Sequence, residues 1–403
     1  MLVARQLGPG GYGLISLVLA VVGITLTVAD LGLRHTAVRA LSRDLAVESD
    51  RPASLAASYL YLLVSINVII TVVAAAVAHP LCEYLLGRPD AAQPFRLALM
   101  GLAPAALSGA VAVMLQARRQ FWRLAATQAL TATSTLFGTV ILFELDGLTV
   151  QSVIVLGVLA PLIGSAVAVG GIPKAWMARV GEWAMVRRDW GELFRFSKWL
   201  WLSAIFSILA SQLDLLLVNR WTTAPAAGVY ALAFNLANRL DVLNQTRFTV
   251  RMPVVSALRT RDDVLAYARE ALTRGAAPGV LLVAAAAAVA RPFIVGVYGA
   301  QYAESVPVFL VLLATVLVDF VTMPLLILGF PLHAPRTLAA SDVIRVVVLG
   351  LVAVWLVPQT GLIGAAVARL AGKVAGAAFT LTILHLRLGR LHGTASELNG
   401  SMW

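Results

Sequence analysis

The sequence predicts an all-α polytopic membrane protein of about eleven transmembrane helices in two lobes. Three observations carry this. Of 403 residues, 60% are apolar and 13% charged, against about 45–50% and ~25% in a soluble domain, so the chain lacks the polar surface to cover a globule in water. Mean hydropathy is +0.87. The apolar residues also gather in runs of about 20, the length of a helix that crosses some 30 Å of hydrocarbon.

The first run, Tyr12 to Leu31, follows a Gly-Pro-Gly-Gly segment and closes at a basic stretch. Leu55 to Ala78 ends at the His79-Pro80 loop, and Leu97 to Gln116 at Arg118-Arg119. Ala125 to Phe143 and Val153 to Ile172 complete a first set of five. After the polar stretch Lys174 to Lys198 come Leu200 to Val218, Ala226 to Val250, Ala277 to Val297 and Val306 to Phe330. Ile344 to Val357 with its preceding turn, and Leu362 to Leu384, have the least sharp ends. The expected organisation is an N-terminal lobe over 1–173, a cytoplasmic amphipathic linker over 174–198, a C-terminal lobe over 199–385 and a cytoplasmic tail over 386–403. In the linker Trp176, Trp183, Met185 and Trp190 interleave with Arg and Lys, a composition suited to an interfacial helix and equally to a plain connection between bundles.

The net charge of +11 is mostly topological. With the loop after the first run inside, twenty-two of the 31 Lys and Arg fall on the cytoplasmic side, five on the other and four within spans. This asymmetry places the C-terminus in the cytoplasm, and nucleic acid is not needed to explain the charge. One cysteine, Cys82, excludes a disulfide framework and a Cys-based zinc site, and the five histidines show no metal-ligand spacing. Gly8 to Gly13 satisfies GxGxxG but follows no strand, Asn244-Gln245-Thr246 falls within a span, and no GxxxxGK[ST] occurs. No cofactor is implied.

Together several short motifs carry a resemblance to a known family. Ala4-Arg5-Gln6-Leu7-Gly8-Pro9-Gly10-Gly11-Tyr12-Gly13-Leu14, then Val28-Ala29-Asp30-Leu31-Gly32-Leu33 and Ala37-Val38-Arg39, resemble the bacterial polysaccharide flippases of the multidrug/oligosaccharidyl-lipid/polysaccharide (MOP) exporter superfamily. Leu115-Gln116-Ala117, Gln212-Leu213-Asp214, Ala227 to Ala233 with Pro253, and Gly361 to Ala368 resemble later segments in family order. The resemblance implies twelve or fourteen helices in two lobes. Residues 1 to 7 resemble the last turn of the family's first helix, so one span is expected to be missing, most simply through a truncated or mis-started reading frame.

Ionisable groups within spans are the candidate functional residues, because each costs about 2.5–3.5 kcal/mol to insert and by default faces the bundle interior or water. Ala226 to Val250 carries Asn235, Arg239, Asn244 and Arg247, with Arg251 at its cytoplasmic end. A wide wet stripe is expected there, with Arg239 about 15 Å into the membrane. Arg239 and Arg247 are the expected phosphate ligands of a lipid-linked sugar, because planar guanidinium donors match phosphate oxygens; the competing reading is local neutralisation of Arg239 by Asp241. Asp319, Asp342, Arg345, Arg369 and Lys373 form a second cluster, read mainly as pinning the second lobe. Asp214 has no basic neighbour in sequence. It is therefore a candidate for coupling to H+ or Na+, against a plain hydrogen bond to Gln212 or Asn219.

The resemblance and these residues together imply a non-enzymatic flippase of the bacterial inner membrane that exports a polyprenyl-phosphate-linked oligosaccharide or polysaccharide precursor by alternating access. Its implied partners are the lipid-linked glycan, membrane lipids and the glycosyltransferases or polymerase of the same pathway. The rivals are a drug or metabolite cation antiporter of the same superfamily, a membrane polymerase or acyltransferase, and a transport-inactive scaffold. An antiporter for cations calls for an acidic, aromatic cavity, which Arg239 opposes; an enzyme acting outside has only His79, Cys82 and Glu83 to draw on.

Overall fold

The computed structural model describes residues 1–46, 51–173, 176, 183–256, 261–273, 277–326, 328 and 335–390. Regular structure among them is helical throughout. Two compact units divide the chain between Ile208 and Leu209.

The N-terminal unit contains α1 (Leu2–Asp30), α2 (Leu33–Ala46), α3 (Arg51–Ala76), α4 (Ala92–Leu99), α5 (Leu102–Ala117), α6 (Phe121–Glu144), α7 (Val150–Val169) and the first part of α8 (Trp183–Trp221). The rest of α8 belongs to the C-terminal unit, with α9 (Ala224–Ser256), α10 (Arg261–Thr273), α11 (Ala277–Tyr298), α12 (Ser305–Leu326), α13 (Pro335–Thr360) and α14 (Leu362–Arg390). The division between these units falls inside α8. Residues 174, 175 and 177–182 of the expected linker lie outside the described residues, and the remainder is the beginning of α8, where Leu193 and Ser197 are buried.

Among the described residues nine helices are long and apolar enough to cross a membrane, or ten if α4 and α5, bent by 42°, are one broken span. The expected span Ala226 to Val250 lies within α9, which is not among these, since Arg239, Asp241, Arg247 and Arg251 make it too polar. The first span starts ten residues earlier than expected. Its break lies at Gly8, whose φ of 63° interrupts the ladder, and Pro9 restarts the helix where a missing N–H does no harm.

Side-chain chemistry explains how polar residues sit in these helices. On α6, Thr127, Thr131, Thr135 and Thr139 each donate to the carbonyl four residues back, at 2.7–2.9 Å, so a threonine-rich helix presents satisfied hydroxyls to its surroundings. α7 opens on a reciprocal cap: Ser152 N donates to Thr149 Oγ1 at 3.2 Å and Thr149 N to Ser152 Oγ at 2.8 Å. Thr149→Ala should lower unfolding stability by about 1 kcal/mol, read by denaturant titration in detergent, while Thr149→Ser stays near wild type; equal losses would show that the cap contributes nothing.

In the C-terminal unit, α13 and α14 pack most intimately. Gly372 and Gly376 let the backbones approach, since a Cβ at 372 would stand 2.8 Å from Arg345 O, and Ser341 Oγ donates to Gly376 O at 3.0 Å. Small residues four apart are the usual device where lipid supplies no hydrophobic drive between helices.

Candidate functional site

The charged residues of the C-terminal unit resolve into pairs once the helices are assembled. Asp214 of α8 is fully buried. Its Oδ2 accepts from Arg369 Nη1 of α14 at 2.8 Å and from the Tyr230 hydroxyl of α9 at 2.5 Å, and its Oδ1 accepts from Leu215 N at 2.9 Å. Arg369 also donates to Ser211 O at 3.1 Å and lies 4.5 Å from the Phe234 ring centroid, a cation–π contact. Asp214 is therefore not alone, as its sequence neighbourhood implied, and it bonds to neither Gln212 nor Asn219 among the described residues; Asn219 instead donates to Leu215 O. Both carboxylate oxygens of Asp214 are thus engaged by donors of the protein itself.

The residues expected as a second cluster divide between two pairs and the Asp214 site. Lys373 pairs with Asp319, linking α14 to α12, and Arg345 pairs with Asp342 one turn away at 3.1 Å. Arg369 leaves that set to join Asp214. Asp241 lies within electrostatic range of Arg345, Arg369 and Lys373 and accepts from Asn244 Nδ2 at 3.1 Å.

Along α9 the wet stripe is narrower than expected. Ala227 to Phe234 are buried without a break, because the Val-Tyr-Ala-Leu-Ala-Phe run packs against its neighbours on every side. Ser305 of α12 donates to Val229 O at 2.8 Å within that contact. Asn244 is buried against Asp241 and not on a wet face. Asn235 is half-buried, and Asn238 and Arg239 are exposed. Among the described residues Arg239 makes no ion pair, so local neutralisation by Asp241 does not form. The side chains of Arg247 and Arg251 lie outside the described residues. Of the four cations the sequence places within spans, Arg345, Arg369 and Lys373 thus hold carboxylates, and Arg239 stands exposed without one.

Sequence reasoning missed Tyr230, Phe234 and Ser211, and the Asp214–Arg369 link. A signal for that link was available: Asp214 is seven residues from the end of α8 and Arg369 seven from the end of α14 on the same side, so both lie about 10 Å deep. In the N-terminal unit Asp30 pairs with Arg34 at 3.9 Å. Outside the spans, Cys82 is buried and its thiol is pushed up by that burial and by the charge of Asp90. That is the opposite of an activated nucleophile. His79 is paired with Glu83 at 3.5 Å.

Comparison with known proteins follows this architecture. Across 96% of this chain and 92% of its own, an inward-facing multidrug resistance MATE family transporter of the MOP superfamily is similar at a TM-score of 0.80 and 12% identity. A lipid II flippase MurJ in an inward closed conformation is similar at 0.65 and 12% identity, over 97% and 93%. A MOP superfamily transporter from Pyrococcus furiosus, described as having a binding pocket of reversed polarity, is similar at 0.65 and 13% identity, over 97% and 91%. These likenesses establish the fold. No curated protein sequence matches. The family model for polysaccharide biosynthesis proteins matches residues 2–307, three quarters of the sequence, and the chain belongs to that family.

Proposed function

We propose that the protein is a flippase that moves a polyprenyl-phosphate-linked oligosaccharide or polysaccharide precursor across the inner membrane by alternating access, with its C-terminus in the cytoplasm. The observation that carries this is Arg239: an exposed guanidinium with no carboxylate partner among the described residues, in a helix whose unit neutralises its other span cations internally. An unpaired cation at membrane depth has to be offset by something that arrives with the substrate, and a phosphate accepts the planar donors of arginine bidentately. Family membership supports a glycan as the group attached.

The experiment is Arg239→Ala in a strain whose only copy is the variant. Surface polysaccharide should be lost while the protein stays at normal level in the membrane. Arg239→Lys should recover part of the export, since it keeps the charge but not the fork. Unaffected export in the Ala variant overturns the assignment.

The cation antiporter reading draws on the likeness to a multidrug transporter. It is disfavoured because Asp214, Asp319 and Asp342 each hold a cation of the protein itself, leaving none of these three to receive a cationic drug.

A further inference from the structure

We infer that the turn joining α5 to α6 is a docking site for the headgroup of an anionic phospholipid. Arg118, Arg119 and Arg123 fall within six residues, and no Asp or Glu occurs from Ala91 to Phe143. The three arginines are not equivalent. Arg118 is fixed: its Nη1 donates to Gly171 O at 2.8 Å, and its guanidinium lies 5.8 Å from the centroid of the buried Trp176 ring. Arg119 and Arg123 are exposed and, among the described residues, have no carboxylate partner. Arg119 occupies the left-handed region at φ 57°, a conformation that costs about 1–2 kcal/mol for a residue with a Cβ. Gly171 at the end of α7 makes room for its neighbour, because a Cβ there would stand 2.8 Å from Arg123 Cδ.

Two features place these charges at a lipid surface. Phe121 and Trp122, between Arg119 and Arg123, are 59% and 83% exposed, as expected of aromatic anchors at headgroup level. They begin α6, the least buried of the candidate spans among the described residues, which leaves most of its surface for lipid. The first-turn amides of α6 have no side-chain cap and add N–H donors directed the same way. An anionic phosphate bridging Arg119 and Arg123, with its acyl chains along Phe121, Trp122 and the exposed Leu136 and Phe137, satisfies both the charge and the apolar surface. Each arginine near an anionic surface gains from the local potential, which a zwitterionic headgroup does not supply.

The test uses the full chain in nanodiscs containing phosphatidylglycerol and phosphatidylcholine, with bromine on the tails of one lipid at a time. Trp122 emission is isolated as the difference between wild type and Trp122→Phe. Brominated phosphatidylglycerol should quench it several-fold more than brominated phosphatidylcholine at equal mole fraction, and the excess should vanish in Arg119→Gln/Arg123→Gln and fade in wild type as salt is raised. Equal quenching by the two lipids in wild type overturns the inference, as does a preference that survives the double substitution. So does a preference seen only for added polyprenyl phosphate, which would give the site to the transported lipid. Export is not part of the readout, so failure here leaves the flippase reading standing, and the reverse also holds.

Discussion

Asp214→Asn should strip the C-terminal unit of most of its stability, by about 3–5 kcal/mol, the cost of breaking a buried ion pair from one side. The substitution keeps the shape and removes the charge, leaving the Arg369 guanidinium, 8% exposed, without its counter-ion. A guanidinium cannot shed its proton, and its remaining partners, Ser211 O and the Phe234 ring, are neutral. Arg369→Met should cost less, because a lone buried carboxyl can neutralise itself by binding a proton. The double variant Asp214→Leu/Arg369→Met should recover most of the loss, since apolar groups of similar volume often replace a buried pair at little cost. Thermal unfolding of the purified protein, followed through its 9 tryptophans, orders the three. If Asp214→Asn melts with wild type, or the double variant is worse than either single, the lock does not hold the unit. Should Asp214→Asn fail to accumulate at all, the double variant alone still decides, because a coupling acid could not be replaced by Leu with export intact.

How much of this was legible in sequence depended on how far apart the partners lie in the chain. Helix rise counted from the entry point of each span, Val306 and Leu362, puts Asp319 close to the depth of Lys373, and the structure pairs them. The same arithmetic puts Asp214 level with Arg369, but their separation of 155 residues hides the relation from any reading that looks for partners nearby. Local rules failed differently on α9. A helical wheel assumes one wet face, whereas Ala227 to Phe234 are enclosed on all sides; periodicity tells which face is more polar, not whether the other faces meet lipid or protein. Asn244 shows the complementary error, since a polar residue near a charge on the wheel was taken as solvent-facing when Asp241, three residues back, holds its amide. Arg239 was legible because, among the described residues, no carboxylate pairs with it. The close approach of Gly32, between α1 and α2, to the α8 backbone was not, because no polar or apolar pattern marks where backbones come into contact.

That close approach predicts the second large effect. Gly32→Ala should destabilise the N-terminal unit by about 2–4 kcal/mol, through two costs that other glycines of this chain separate. Gly32 sits at φ 68°, following Leu31 at φ 48°. A Cβ there would also stand 2.6 Å from Ser197 O and 2.9 Å from Trp201 N. Both are backbone atoms of α8, and Trp201 Nε1 already ties α8 to Val28 O at 3.0 Å, so neither chain can step aside. Gly361 has the strained φ, 61°, with nothing within 4 Å of a Cβ, and Gly23 has an ordinary helical backbone with nothing within 4 Å. Gly361→Ala should therefore show the left-handed cost alone, about 1–2 kcal/mol, and Gly23→Ala should be neutral or stabilising by up to about 1 kcal/mol. Denaturant titration of the three variants in one detergent measures the series. A Gly32→Ala loss no larger than that of Gly361→Ala would mean that α8 yields at the crossing, and the contact between these backbones would then be set by the turn and not by the packing of its glycine.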